Sequence, residues 1–233
     1  YACILMGTDN GKLRSCRLKN ANEETVLEIV GHNLELLDRT IEYNKENNIR
    51  LFRISSDIIP FASHPEMKVN WKEIFKEELK RIGEKIKRYE MRVTMHPGQY
   101  TVLNSPSEEV VNRAVDELKY HADFLDCLGM DSSGKLILHI GGIYENKELA
   151  MQRFIDRYFM LDDAIKRRLV IENDDKNYHI EDVLYISRKT NIPVIFDNLH
   201  HEINKVDTKK KINDYILECK KTWGEKDGRQ KIH

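Results

Sequence analysis

Short, almost uniformly apolar runs alternate along this chain with longer stretches of helical spacing. Tyr1-Ala-Cys-Ile-Leu5 is the first such run. Asn22 is placed to cap a helix, with Glu23 and Glu24 in its first turn, where acidic side chains meet the positive end of the helix dipole. Asn20 with Glu23 is an alternative cap two residues earlier. Leu27, Val30, Leu34, Leu37 and Ile41 then carry a helical stripe towards Asn48. Leu51-Phe-Arg-Ile-Ser-Ser56 reads as a strand, and Asn70 with Glu73 opens one helix through Ile74, Phe75, Leu79, Ile82 and Ile86. A strand over Arg92–Met95 follows. Ser105-Pro-Ser-Glu108 then starts a helix towards Leu128, with the proline at its first position. Lys135-Leu-Ile-Leu-His-Ile140 is a strand, followed by a helix from Lys147 to Lys166; Leu169-Val-Ile-Glu-Asn173 is a strand, followed by a helix from Ile180 to Lys189. Pro193-Val-Ile-Phe-Asp-Asn198, a helix near 209–222 and a last short strand, Gln230-Lys-Ile-His233, complete the series.

Strands buried on both faces read as continuous apolar runs, so this rhythm predicts an α/β fold with a parallel sheet covered by helices. A doubly wound sheet would carry a glycine-rich turn after its first strand, and none is present. Polar residues instead close strand after strand, at the end where a TIM (β/α)8 barrel places its active site. Seven strands can be counted. The expectation is therefore a single barrel domain over residues 1–233, with the eighth strand missing and the chain truncated at its C-terminus.

Composition narrows the picture. Forty per cent apolar residues suffice for a large core, and 33% charged residues give a highly charged surface. No apolar run approaches the length of a membrane span. Cys3, Cys16, Cys127 and Cys219 form no C-x-x-C pair and read as reduced thiols of an intracellular protein, with a cytoplasmic location expected. A net charge of −1 gives no global basic signal for nucleic acid. An enzyme whose own metal ions meet the phosphate would not need one.

The candidate chemistry lies at the strand ends: His64, His96, His139, Glu172, Asp197, His200 and His233. Each has a plain structural alternative, such as a histidine bonded to a backbone carbonyl or Asp197 as a helix cap. A barrel, however, converges these ends on one small volume, where several imidazoles and two carboxylates call for divalent cations. Imidazole with carboxylate suits zinc, manganese, iron or cobalt, and the ligand number suits a cluster of two or three ions. His32, His121 and His179 sit on helices or near a helix start and read as structural or solvent-facing; His201 should point away from the site. Lys231 shares a strand face with His233. It is open to four readings: a phosphate-binding cation, an amine of depressed pKa, a carboxylated bridging ligand, or a lysine with its tip in solvent.

Several of these segments together resemble one family. Tyr1-Ala-Cys3, Arg53-Ile-Ser-Ser-Asp57 with Phe61-Ala-Ser-His64, Met95-His-Pro-Gly-Gln-Tyr100, Leu138-His-Ile-Gly-Gly142, Ile171-Glu-Asn-Asp174, Phe196-Asp-Asn-Leu-His-His201 and Lys231-Ile-His233 are similar to the UV damage endonucleases, TIM-barrel enzymes of DNA repair. The resemblance implies a nick 5′ of cyclobutane dimers and 6-4 products, with abasic sites also accepted, leaving a 3′-hydroxyl and a 5′-phosphate. It implies manganese as the usual metal, with zinc, cobalt or magnesium as alternatives, and damaged double-stranded DNA as the partner of a monomer. It matches the seven strand-end residues to metal ligands, Lys231 to a lysine at the cluster, and Gln99 and Tyr100 to a pair pushed into the duplex at the lesion. Tyr1 corresponds to a substrate-contacting tyrosine. Glu172, with two oxygens to share, is the expected bridging ligand. The family pattern continues past His233 with an eighth strand and further metal ligands, a histidine and a glutamate. Two alternatives remain at this stage: another barrel metalloenzyme, such as an endonuclease IV-like abasic-site enzyme or a sugar isomerase, and a non-catalytic damaged-DNA binding protein.

Overall fold

A computed structural model describes Cys3, Leu5 and residues 11–67, 69–206 and 208–233. The chain divides into two compact units, residues 1–96 with 120–134, and residues 97–119 with 135–233.

The first unit contains helix α1 (Glu23–Glu46), strand β1 (Leu51–Ile54), helices α2 (Trp71–Ile74) and α3 (Lys76–Arg88), and strand β2 (Arg92–Met95). Asn22 caps α1 as expected, its side chain accepting from the Thr25 amide at 2.9 Å. The buried stripe of α1 runs through Val26, Ile29, Val30, Leu34, Leu37 and Ile41. β1 and β2 pair in parallel, Leu51 opposite Arg92 and Ile54 opposite Met95. The single helix expected from Asn70 is instead broken at Phe75 (φ −101°, ψ 17°), and Asn70 makes no side-chain cap. The Phe75 ring packs on Gly31 of α1, where an added Cβ would lie 3.7 Å from it, so a tertiary contact outweighs the local helical preference. The expected strand Tyr1–Leu5 lies largely outside the described residues.

The second unit holds strands β3 (Lys135–His139), β4 (Leu169–Glu172) and β5 (Val194–Ile195). Helix α4 (Glu108–Cys127) begins in this unit and ends in the first. Helices α5 (Lys147–Met160), α6 (Asp163–Lys166), α7 (Ile180–Thr190), α8 (Asn198–Ile203) and α9 (Ile212–Lys220) follow. β3, β4 and β5 are parallel neighbours, and the register sets His139 opposite Glu172 and Glu172 opposite Ile195. Ile137, Val170 and Ile195 form a fully buried cluster on which Trp223 packs.

Several boundaries differ from the sequence pattern, and the helix expected from Lys147 to Lys166 is broken at the extended Leu161 into α5 and α6. α4 starts at Glu108, so Pro106 is not its first residue. Ser105 Oγ accepts from the Ser107 amide at 3.1 Å in a turn ahead of the helix. β5 is two residues long, and the expected last strand is reduced to one bridge between Phe196 and Ile232. The reason is visible at Val194: its amide donates to Thr222 Oγ1 (2.9 Å) and its carbonyl accepts from Trp223 Nε1 (2.8 Å). Side chains thus satisfy backbone groups that a neighbouring strand would otherwise pair. Finally, the residues after Phe196 turn into α8, a helix the apolar pattern did not announce.

Candidate metal centre

In the second unit the strand register does most of the assembly. His139 and Glu172 end adjacent parallel strands as direct neighbours, and the His139 Nε2 to Glu172 Oε1 distance is 3.1 Å. Glu172 is 1% exposed. Its other oxygen accepts from His233 Nδ1 at 2.6 Å. His233 is fixed by its backbone, which donates to the Phe196 carbonyl (3.0 Å) and accepts from the Asn198 amide (2.9 Å). Asp197 uses one oxygen to cap α8 through the His200 amide (2.8 Å). Its other oxygen lies 3.7 Å from His200 Nδ1 and 3.9 Å from His233 Nδ1. The cap reading and the ligand reading of Asp197 are therefore compatible, one oxygen for each.

Asn173 is the residue that sequence reasoning missed. Its side chain grips the backbone of Asp197 from both sides, donating to the carbonyl and accepting from the amide, each at 2.9 Å. The Asn173 carbonyl accepts from His200 Nδ1 at 2.9 Å, which puts the imidazole lone pair on Nε2. An amide between Glu172 and Asp174 in the motif was the available signal, but a clamp on a residue 24 positions away has no local signature.

Glu172, Asp197 and His233 each offer one ligand atom, and these atoms lie within 4.8 Å of one another. Two ligands on one ion, each at about 2.1 Å, lie at most about 4.2 Å apart, so the set fits a cation after small side-chain adjustments. The N–H to carboxylate contacts around Glu172 are also those in which a shared cation can replace a proton. The mixed nitrogen and oxygen donors suit manganese, zinc or cobalt.

The remaining expected residues are distributed as follows. Lys231 is buried, 7% exposed, which sets aside the reading with its tip in solvent. Gln99 and Tyr100 form an exposed turn closed by the Thr101 amide on the Gly98 carbonyl at 2.9 Å. Tyr100 is 84% exposed. His64 and His96 belong to the first unit. His64 Nδ1 accepts from the Glu66 amide at 3.3 Å, and the half-buried His96 directly follows β2. Tyr1 lies outside the described residues.

Four histidines have other tasks. His32 Nε2 meets the Lys12 carbonyl at 3.1 Å, and His121 is buried in α4 against the Tyr120 ring. His179 caps α7 with Asp182. His201 points away from its neighbour's site, packing on Phe196 and Tyr215, and burial pushes its imidazole below the usual pKa.

With this geometry in hand, the comparisons with known proteins are decisive on one point. The family described as UV-endonuclease UvdE matches residues 10–233. The chain belongs to that family. A relative, the UV DNA damage endonuclease of Clostridium perfringens (strain 13 / Type A), is 45% identical over 234 aligned residues; these cover all of this chain and 57% of the relative. The chain thus spans little more than half the length of that UV DNA damage endonuclease. The crystal structure of SacUVDE matches with a TM-score of 0.86 and 46% identity, covering 90% of this chain and 71% of that one. Endonuclease IV from Thermus thermophilus shares the fold alone, at a TM-score of 0.56, 16% identity, and coverage of 82% of this chain and 68% of that one. These likenesses give the fold as α/β of the TIM-barrel class, with five parallel-paired strands among the described residues. Among the described residues no helix is long and apolar enough to cross a membrane.

Proposed function

We propose that this chain carries the metal-dependent incision centre of a UV-damage endonuclease. It nicks DNA on the 5′ side of cyclobutane dimers and 6-4 products, and at abasic sites, leaving a 3′-hydroxyl and a 5′-phosphate. The observation that supports this most directly is Glu172, a buried carboxylate held between two imidazoles, His139 at 3.1 Å and His233 at 2.6 Å.

In this reading His139, Glu172, Asp197, His200 and His233 hold two or three divalent ions, manganese in the first place, with zinc, cobalt or magnesium able to substitute. His64 and His96 complete the ligand set by resemblance. When bound, such a cluster supplies Lewis acidity to the scissile phosphate and lowers the pKa of a water nucleophile. Glu172 would offer both of its oxygens to such a cluster, and Asn173 keeps Asp197 and His200 in place. Lys231, on the strand face of His233, orients a phosphate oxygen. A damaged dinucleotide costs less to unstack than sound DNA, and Gln99 and Tyr100 fill the gap it leaves. Tyr1 contacts the same substrate. Because one family match runs through both units, residues 1–233 are read as a single barrel domain. The enzyme acts as a monomer on double-stranded DNA in the cytosol or nucleoid.

The test uses labelled duplex DNA with one thymine dimer, an undamaged control and an abasic-site duplex, each incubated with the protein and manganese, with and without chelator. Chelator-sensitive cutting just 5′ of the dimer is the expected result. Cutting confined to the abasic site would make it an abasic-site endonuclease, and binding without cutting would leave a recognition protein.

A further inference from the structure

The exposed tip Gly98–Tyr100 is followed by five residues that are neither helix nor strand: Thr101, Val102, Leu103, Asn104 and Ser105. All but Val102 are buried, Leu103 and Asn104 completely. Buried irregular backbone must find partners for its carbonyl groups, and here they do not come from a sheet or a cap. They come from one face of α5, four residues apart. Arg157 Nη1 donates to the Leu103 carbonyl at 3.0 Å and also to that of Ser105. Arg153 Nε donates to the Asn104 carbonyl at 2.8 Å. Three consecutive carbonyls are thus held by two guanidinium groups. Arg157 is itself oriented by Glu108, Nη2 to Oε1 at 2.5 Å, and Arg153 lies over the Tyr144 ring, 5.6 Å from its centroid.

A second set of bonds locks the same loop from the other side. Asn104 Nδ2 donates to the Gly142 carbonyl (2.7 Å) and to Tyr178 Oη (3.1 Å), and the Tyr178 hydroxyl donates to the Gly142 carbonyl at 2.9 Å. Burial pushes the Tyr178 phenol up to about 12. Gly141 (φ +115°) lets the two loops approach so closely that an added Cβ would stand 2.4 Å from Asn104 Oδ1. Tyr100 thus projects, almost wholly in solvent, from a base in which consecutive backbone carbonyls are pinned.

We infer that Arg153 and Arg157 are positioning residues for lesion recognition, holding the base of the tip so that Gln99 and Tyr100 enter the duplex as a preformed wedge. This rests on the probe role proposed above. A rigid wedge places its ring only where the stack already yields, whereas a loose loop folds away from the duplex and loses the distinction between damaged and sound DNA. The planar fork of arginine lets Nη1 hold both carbonyls while Nη2 stays on Glu108. Lysine keeps the charge and the aliphatic stem but offers a single ammonium.

The experiment measures the ratio of kcat/KM for dimer-containing over undamaged duplex in Arg157→Lys, Tyr100→Ala and the double variant, with manganese content and thermal melting recorded for each. Arg157→Lys is expected to lower the ratio by about ten- to a hundredfold, the scale of an ångström misplacement, with metal content unchanged. In the Tyr100→Ala background the same substitution should cause no further fall. An unchanged ratio in Arg157→Lys, or an equal fall with and without Tyr100, overturns the inference. If Tyr100→Ala alone leaves the ratio unchanged, the probe reading itself falls, and the inference with it. Should Arg157→Lys not fold, Arg153→Lys, which removes the single bond to Asn104, carries the same test.

Discussion

Glu172 and Tyr100 belong to the same unit of this chain, yet one is 1% exposed and the other 84%, and they are held by different means. Glu172 ends a buried parallel strand, and imidazole groups from a neighbouring strand and from the C-terminal segment engage its carboxylate oxygens directly. Tyr100 has no comparable enclosure; what is held is the backbone below it, through carbonyls gripped by Arg153 and Arg157. A group proposed to hold metal ions must have its own atoms fixed, because ligand geometry tolerates only a few tenths of an ångström. A group that must enter another molecule has to keep its surface bare, so order is imposed on its base instead.

The most severe way to break this contrast is at the centre. Glu172→Gln keeps size and shape but removes the negative charge that the proposed metal centre would use, an expected loss of several kcal/mol in transition-state stabilisation. Single-turnover incision should fall by about a thousandfold or more, while gel shifts with dimer-containing DNA stay as they were. Wild-type cutting rates in this variant would remove Glu172 from the centre. One layer out, Asn173→Ala frees the backbone of Asp197 while keeping the backbone carbonyl to which His200 donates. Manganese affinity, read by titration, should weaken by about ten- to a hundredfold. An unchanged affinity would make Asn173 a fold element only.

At the tip the expected effects change kind as well as size. Gln99→Ala with Tyr100→Ala should leave metal content at the wild-type level. Its discrimination between damaged and sound duplex should drop by about 1–3 kcal/mol, the worth of stacking on one base. Loss of metal in that double variant would contradict the wedge assignment. The mildest change lies outside both regions. Asn22→Ala removes the cap of α1, should cost about 0.5–2 kcal/mol in denaturant unfolding, and should leave both incision and discrimination untouched. If it altered discrimination, the separation between stability and recognition would have to be redrawn.

What the sequence by itself determined was local. The apolar runs ending in His139 and Glu172, the cap at Asn22, the Pro-Gly turn ahead of Tyr100 and the family motifs are all set by residues within a few positions of one another. Periodicity and turn chemistry act over that range. With the motifs came the fold class and the residues to watch. The tertiary structure decided how those residues are held. Phe75 interrupts a helix because its ring packs on Gly31. Thr222 and Trp223 take over the backbone groups of Val194 in place of a longer strand. Asn173 reaches Asp197 across 24 positions, and Arg153 and Arg157 reach Asn104 and Leu103 across 49 and 54. In each case a side chain meets a distant backbone, and such a bond leaves no periodic trace in the chain. It exists only once packing has brought the partners within about 3 Å, the range over which a hydrogen bond acts.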